Sequence, residues 1–340
     1  MTQIIGWAII HSLWQAGGLA LLLAVALHLT RRATPVLRYR LAVVAMLGSL
    51  VIPVATVMTG EYSWHDVGRT VWLPGAAGTP VADIDAAPPP TAMESPSAVG
   101  MLADRERPGT VLAELRARVD ALLPLIVALW AGGLLVFTAR LAGGLAGVRR
   151  LASAPDVSPL PPRLAAAATR LAARLRVRAT IPIRVSARVN VPVVVGYVRP
   201  LILLPVSLVT GLPPAQLEAL IAHELAHVRR HDVLVNLVQR VIETAMFYHP
   251  AVWWISARVR DERESCCDAD AVRACRGDVA SYASALLALE EMHDGRLITV
   301  LAASHGPLLR RIERLVHGRA AGAELGARWV GGTLGLLAVL

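Results

Sequence analysis

The sequence contains no lysine, so all 34 of its basic residues are arginines. Charged residues make up 17% and aromatic residues 4% of the 340 residues, whereas hydrophobic residues make up 55%. The mean hydropathy of +0.53 argues against a purely cytosolic globular protein. A net charge of +9 suits either nucleic acid or the anionic face of a membrane as a partner, and the long apolar runs favour the membrane.

Cysteine is also scarce, with three residues close together at Cys266, Cys267 and Cys275. An odd, clustered set does not form a disulfide framework, which excludes a small disulfide-stabilised secreted scaffold. We expect three reduced thiols, as in a cytosolic environment.

Three apolar runs, at residues 4–29, 41–58 and 121–139, are long enough to cross a bilayer or close to that length. We predict an α-helical membrane protein, with two membrane helices and a short Arg-rich link in residues 1–58. A flexible extracytoplasmic loop follows at 59–120, and then the third membrane helix. By the positive-inside rule the link is cytoplasmic, which places the N-terminus outside. Residues 329–340 are expected to be a partial fourth apolar segment.

Residues 140–320 contain no run apolar enough to span a membrane and are expected to form a cytoplasmic α+β domain. An amphipathic helix is predicted at 164–177. Two β-branched runs, at 191–196 and 201–205, flank a short link and predict two strands joined by a tight turn. The paired prolines Pro213 and Pro214 open the next helix, since proline suits a first helical turn.

That helix carries the motif H-E-x-x-H at residues 223–227. Two histidines four residues apart lie on one helix face, so His223 and His227 can bind the same ion. Glu224 lies beside the first histidine and can take a proton from water without binding the metal. The sequence therefore predicts a single Zn²⁺ ion with Glu224 as general base.

A third ligand is available about 37 residues further on, where Glu264 and Asp268 share one face of a predicted helix. Glu264 would complete a His, His, Glu set and leave one position for water. Asp268 would then hydrogen-bond a ligand imidazole. An ordinary solvated helix face with salt bridges is the alternative. Cys266 and Cys267 are weaker ligand candidates because neither belongs to a C-x-x-C pair.

Three other polar residues are candidates for supporting roles. Asp232 could orient a side chain near the site or pair with an arginine. His249 and His305 could donate a hydrogen bond to a developing oxyanion, although each is more often structural.

Together these segments resemble the BlaR/MecR family of integral-membrane zinc metallopeptidases. The segments that carry the resemblance are His223-Glu-Leu-Ala-His-Val-Arg-Arg-His-Asp232, Phe247-Tyr-His-Pro-Ala-Val-Trp, Glu264-Ser-Cys-Cys-Asp268, Val193-Val-Val-Gly-Tyr-Val-Arg-Pro-Leu-Ile-Leu-Leu-Pro205 and His11-Ser-Leu-Trp-Gln15.

The resemblance implies a gluzincin-like domain in the cytoplasm that is attached to helices in the inner membrane of a bacterium. It implies zinc ligands at His223, His227 and Glu264, a general base at Glu224, and a small DNA-binding repressor as protein substrate. It further implies a C-terminal penicillin-binding sensor after a fourth span. The printed sequence has no S-x-x-K acylation motif, so we do not expect β-lactam sensing from this chain alone.

Other functions remain open at this point. They are a membrane quality-control metalloprotease with broad substrates, a non-catalytic signalling protein, and a nucleic-acid binder. No nucleic-acid motif is recognisable and the arginines are dispersed, so direct nucleic-acid binding is not expected. The lipid bilayer is an expected partner, and a homodimer is an open option.

Overall fold

The computed structural model describes residues 2–59, 108–152, 157–177, 181–196, 199–294 and 305–316. Within these ranges the protein has ten helices and one four-stranded sheet. Most of the loop predicted at 59–120, and all of the segment predicted at 329–340, lie outside the described residues. The chain forms two compact units, Met1–Ile10 with Val54–Leu129 and His11–Pro53 with Trp130–Leu340. The H-E-x-x-H motif belongs to the second unit.

Three helices are long and apolar enough to cross a membrane: α1 (Thr2–Leu29), α2 (Pro35–Thr59) and α3 (Pro108–Ala152). The third helix corrects two predicted boundaries, because it begins within the predicted 59–120 loop and continues past residue 139. Residues 108–120, which were included in the predicted loop, form the first turns of this helix instead. Proline suits a helix start, and a charged helix can continue beyond its apolar core.

In the first unit, the beginning of α1 packs closely on the first third of α3. Trp7 donates a hydrogen bond from its indole N–H to Asp120, at 3.0 Å. Gly6 lies against the side chain of Leu123, where a Cβ atom would come within 2.8 Å of it.

The sheet belongs to the second unit and has the order β1-β2-β4-β3. Its strands are β1 (Val157–Pro159), β2 (Ile183–Ser186), β3 (Val193–Val195) and β4 (Leu201–Pro205). The predicted pair of strands is confirmed, because β3 and β4 pair antiparallel. Gly196 leaves β3 with a φ of +90°, and a Cβ there would come within 2.5 Å of the Arg199 carbonyl oxygen. Only glycine fits this turn without strain.

Helices pack against the sheet and form one hydrophobic core with it. They are α4 (Pro162–Arg174), the short α5 (Val206–Gly211) and α6 (Pro214–Arg229), which carries the motif. Ten residues of α6 are buried, including both His223 and Glu224. The helix is therefore enclosed by the domain, and edge strand β3 packs against it.

The next two helices form a hairpin, which we call the α7–α8 hairpin: α7 (Asp232–Ala245), a turn, and α8 (Pro250–Ala274). Its turn contacts the middle of two membrane helices. Phe247 stacks on Phe137 of α3 with ring centroids 5.0 Å apart, and Tyr248 hydrogen-bonds Ser12 of α1 at 2.8 Å. The first half of α8 therefore shares a hydrophobic core with α1 and α2, whereas its second half lies in the core beneath the sheet.

Two further helices complete the described part of the domain. They are α9 (Val279–Asp294) and α10 (His305–Val316). Both pack against α8 or its neighbours, and both contribute a side chain to the site described next.

Candidate metal centre

The side chains of His223, His227 and Glu264 converge on one point between α6 and α8. The two Nε2 atoms are 3.1 Å apart, and Glu264 Oε2 lies 3.4 Å from His223 Nε2 and 3.9 Å from His227 Nε2. Ligands about 2.0–2.1 Å from a tetrahedral zinc ion lie about 3.3 Å from one another. The three atoms are thus spaced as ligands of one zinc ion, and the donor set suits that metal.

Helix geometry explains why these residues meet. His223 and His227 lie one turn apart on the buried α6, and α8 runs beside α6 so that Glu264 faces them. Each histidine also uses its Nδ1 atom for a hydrogen bond within the protein, which leaves the Nε2 lone pair facing the shared point.

Two groups hold the ring of His223. Its Nδ1–H donates to the Tyr282 hydroxyl at 2.8 Å, and that hydroxyl donates to Asp268 at 2.6 Å. Asp268 Oδ1 itself lies 3.4 Å from Nδ1. The sequence analysis expected Asp268 to hydrogen-bond an imidazole of the motif. In the structure the Tyr282 hydroxyl bridges Asp268 and His223, and the role of Asp268 behind a metal ligand stays a prediction.

Asp268 is held in turn by Arg311 of α10. The guanidinium donates two hydrogen bonds to the carboxylate, at 2.9 and 2.6 Å. Burial alone would raise the pKa of Asp268, but the charge of Arg311 and the hydrogen bond from His223 hold it well below its usual range. Burial and the nearby Asp268 raise the pKa of Tyr282 well above its usual value, so the phenol remains a donor.

His227 is held by Asp232, the first residue of α7. Its Nδ1–H donates to Asp232 Oδ2 at 2.8 Å. The chain reaches this position through His231, an exposed residue with a φ of +55°. The left-handed turn ends α6 and returns the carboxylate of Asp232 to the helix it has just left.

Cys267 lies beside the same carboxylate and donates its thiol to Asp232 at 3.2 Å. His227, Asp232 and Cys267 also form a group whose ligand atoms lie within 4.8 Å of one another. Burial and the charge of Asp232 raise the pKa of Cys267 well above its usual value. Cys267 is therefore a neutral thiol that supports Asp232, and the His, His, Glu set is the better metal site.

The electrostatics of the ligands favour a cation. Burial lowers the pKa of His223, but hydrogen bonds to Asp268 and Glu264 outweigh burial and raise it to about 9. Burial raises the pKa of Glu264, but the hydrogen bond and charge of His223 outweigh it and lower the value to about 2. A metal ion competes with the proton for Nε2 of His223.

Glu224 lies next to His223 on α6 and is 9% exposed. Among the described residues it has no hydrogen-bonded partner, unlike the carboxylates of Asp232 and Asp268. A general base is expected to keep its oxygens available in this way.

The two remaining histidine candidates lie elsewhere. The Nδ1 of His249 accepts a hydrogen bond from the Ala251 amide at the start of α8. Its Nε2–H points at the carbonyls of Ser12 and Leu13 in α1, at 3.2 and 3.1 Å. These contacts fasten α8 to α1, and none of them supports an oxyanion role, which stays a prediction. His305 begins α10, and its role stays a prediction also.

The sequence reasoning missed Tyr282 and Arg311. Neither belongs to the motif or lies at a metal-ligand spacing from it. Only the packing of α9 and α10 against α8 brings them to Asp268.

Most of the sequence matches a known protein family. The model of the BlaR1 peptidase M56 family matches residues 10–315, which is most of the chain. The chain belongs to this family. It is a membrane protein with three apolar helices, and its family is one of metallopeptidases.

Individual relatives are more distant. The chain is 29% identical to the methicillin resistance MecR1 protein of Staphylococcus aureus over 93 residues, which are 27% of this chain and 16% of that protein. It is also 29% identical to the regulatory protein BlaR1 of Bacillus licheniformis over 83 residues, which are 24% of this chain and 14% of that one. The aligned part is therefore less than a fifth of each relative's length.

Proposed function

We propose that this M56 protein is a zinc endopeptidase with a gluzincin-like domain on the cytoplasmic side of the membrane. Its substrate is a cytoplasmic protein, and a small DNA-binding repressor is the substrate class that we infer. The observation that supports the activity most strongly is the convergence of His223, His227 and Glu264 within 4 Å. Glu224, the neighbour of His223 in the sequence, has no hydrogen-bonded partner in the part of the chain that the structure describes.

Zinc bound by this set would polarise the carbonyl of a peptide and make a water molecule more acidic. Glu224 accepts a proton from the water molecule as the water oxygen attacks the carbonyl carbon. The same carboxyl then gives a proton to the amine nitrogen as the C–N bond breaks. Asp232 and the Tyr282–Asp268 pair keep the two imidazoles in the tautomer that presents Nε2 to the ion.

The sheet provides a means of holding the substrate. Strand β3 is an edge strand and packs against α6, the helix that carries both histidines. An extended peptide could pair with the free edge of β3 through its main chain. This placement supports cleavage of an extended segment of a protein.

The inference of a repressor depends on the relatives. One is named a regulatory protein and the other a resistance protein, and both match only in part. Cleavage of a repressor is a regulatory reaction that converts a signal at the membrane into a change in transcription.

The experiment that tests this function compares new protein N-termini in cells that produce the wild type, Glu224→Gln or Glu218→Gln. Glu218 lies on the same helix with a side chain 38% exposed, so it is a matched control. We expect one dominant new terminus in a DNA-binding protein with the wild type and the control. Loss of a general base typically slows a reaction by about 10²–10⁴-fold, so that terminus should disappear with Glu224→Gln.

Other outcomes would overturn the proposal. Many new termini in unrelated membrane proteins would indicate quality control instead of regulation. Equal cleavage by wild type and Glu224→Gln would contradict a catalytic role for this site.

A further inference from the structure

A cavity with a charged lining lies where the link between α1 and α2 meets α8 and α10. Its charged lining consists of Arg31, Arg38, Glu262, Asp268, Arg311 and Arg314. Four guanidinium groups thus face two carboxylates, which leaves an excess of two positive charges.

Two of these arginines are neutralised by the protein. Arg38 donates two hydrogen bonds to Glu262, at 3.0 and 2.6 Å. Arg311 donates two to Asp268, as described above. These pairs form the charged walls of the cavity and are already satisfied.

The other two arginines carry the excess charge. Arg314 donates a hydrogen bond to the neutral hydroxyl of Ser265, and Arg31 is exposed. Neither forms an ion pair with an acidic residue among the described residues. Two guanidinium groups that line one cavity, one from the link and one from α10, provide planar donors that match phosphate oxygens.

The position of the cavity relative to the membrane helices identifies the source of the phosphate. Pro35, which also lines it, is the first residue of the second candidate span, and Ala33 belongs to the link just before it. The cavity is therefore level with the end of a membrane helix, where lipid headgroups lie. Basic pockets at this level of a membrane protein bind anionic headgroups.

We propose that this cavity binds the phosphate of an anionic phospholipid headgroup through Arg31 and Arg314. This site shares the Arg311–Asp268 pair with the surroundings of the metal centre, but Arg31 and Arg314 contact none of the three candidate ligands, and lipid binding does not depend on the proposed peptidase activity. The bound phosphate would join the link between α1 and α2 to α10.

The site has a structural consequence for the metal centre. Arg311 lies one helical turn before Arg314 on α10 and holds Asp268, which with Tyr282 orients His223. A lipid that holds α10 in place therefore keeps this chain of hydrogen bonds together. In this way the membrane composition would affect the metal site.

The test measures lipid binding directly, on the purified full chain in a neutral detergent. Phosphatidylglycerol, phosphatidylcholine and inorganic phosphate are titrated separately, and retained lipid is counted by native mass spectrometry. The variants are Arg31→Gln with Arg314→Gln, and as a control Arg163→Gln with Arg170→Gln. The control pair removes the same charge from exposed positions on α4.

We expect the wild type to retain phosphatidylglycerol in preference to phosphatidylcholine. The Arg31→Gln, Arg314→Gln variant should bind it roughly thirtyfold more weakly, given the contribution of each arginine near a lipid surface. The control should stay within about twofold of the wild type, because its arginines lie outside the cavity. If the double variant does not fold, Arg314→Gln alone should still weaken binding by about fivefold.

Three results would overturn the proposal. The first is equal retention of the two lipids by the wild type. The second is equal binding of phosphatidylglycerol by the cavity variant and the control. The third is saturation by inorganic phosphate that blocks the lipid, which would assign the site to free phosphate.

Discussion

At the scale of single residues, the centre depends on groups that do not touch the ion. His223 and His227 each have two nitrogen atoms, and only a partner at Nδ1 decides which nitrogen is free. The Tyr282–Asp268 pair performs this task for one ring and Asp232 for the other. The affinity for metal should therefore be sensitive to substitutions behind the ligands.

Replacing Tyr282 with phenylalanine tests this dependence. The change removes the hydroxyl that lies 2.8 Å from His223 Nδ1 and leaves that atom only the longer, weaker contact with Asp268 at 3.4 Å. We expect the affinity for zinc to fall by about tenfold, at the lower end of the effects of such partners. Competition with a chromophoric chelator measures the change.

Tyr248→Phe is the matched control, since its hydroxyl bonds to Ser12 at the turn of the α7–α8 hairpin. It should bind zinc as the wild type does. Unchanged affinity in Tyr282→Phe would show that the hydroxyl does not orient His223.

At the scale of elements, much of the local structure could be predicted and much of the assembly could not. Periodicity and proline placement indicate α6, and β-branched residues indicate β3 and β4. The spacing of His223 and His227 needs only a helix, so their convergence follows from the sequence. That Glu264 would face them, and that α10 would supply Arg311, depends on packing between distant segments.

The boundaries of α3 were predicted less well, because hydropathy reports only its apolar middle. The position of the α7–α8 hairpin was also missed. Its helices are too polar to be recognised as spans, yet its turn packs on the middle of α1 and α3. Specific contacts such as those of His249 with α1 carry no sequence pattern.

Adjacent glycines of α3 test the importance of this packing. Gly133 lies directly against the ring of Phe247, whereas a Cβ on Gly132 would meet nothing within 4 Å. We expect Gly133→Ala to destabilise the protein by about 1–3 kcal/mol through overpacking. Gly132→Ala should be neutral or slightly stabilising, since alanine favours a helix.

Thermal unfolding in detergent, followed by tryptophan fluorescence, compares the two variants. Equal stability of Gly133→Ala and Gly132→Ala would mean that the hairpin does not pack on α3 as described.

At the scale of the whole molecule, the distribution of charge predicts the orientation in the membrane. Arginines flank the link between α1 and α2 and the end of α3, while acidic residues outnumber arginines in residues 59–120. By the positive-inside rule, we expect the link and the metal centre to lie on the cytoplasmic side.

Reporter fusions test this orientation. Alkaline phosphatase folds only outside the cytoplasm, so a fusion after residue 80 should be active and a fusion after Arg150 should be inactive. The inverse pattern of activity would place the peptidase domain outside and exclude a cytoplasmic substrate.

The account as a whole depends on one zinc ion bound by His223, His227 and Glu264, with Glu224 free to act as a base. Zinc content per chain, measured by plasma emission spectrometry on the purified wild type, Glu264→Gln and Glu224→Gln, tests it most directly. We expect about one equivalent in the wild type and in Glu224→Gln, and a large loss in Glu264→Gln, because of the two glutamates only Glu264 is proposed as a ligand. Full zinc content in Glu264→Gln, or loss of zinc in Glu224→Gln, would contradict the assignment of ligand and base.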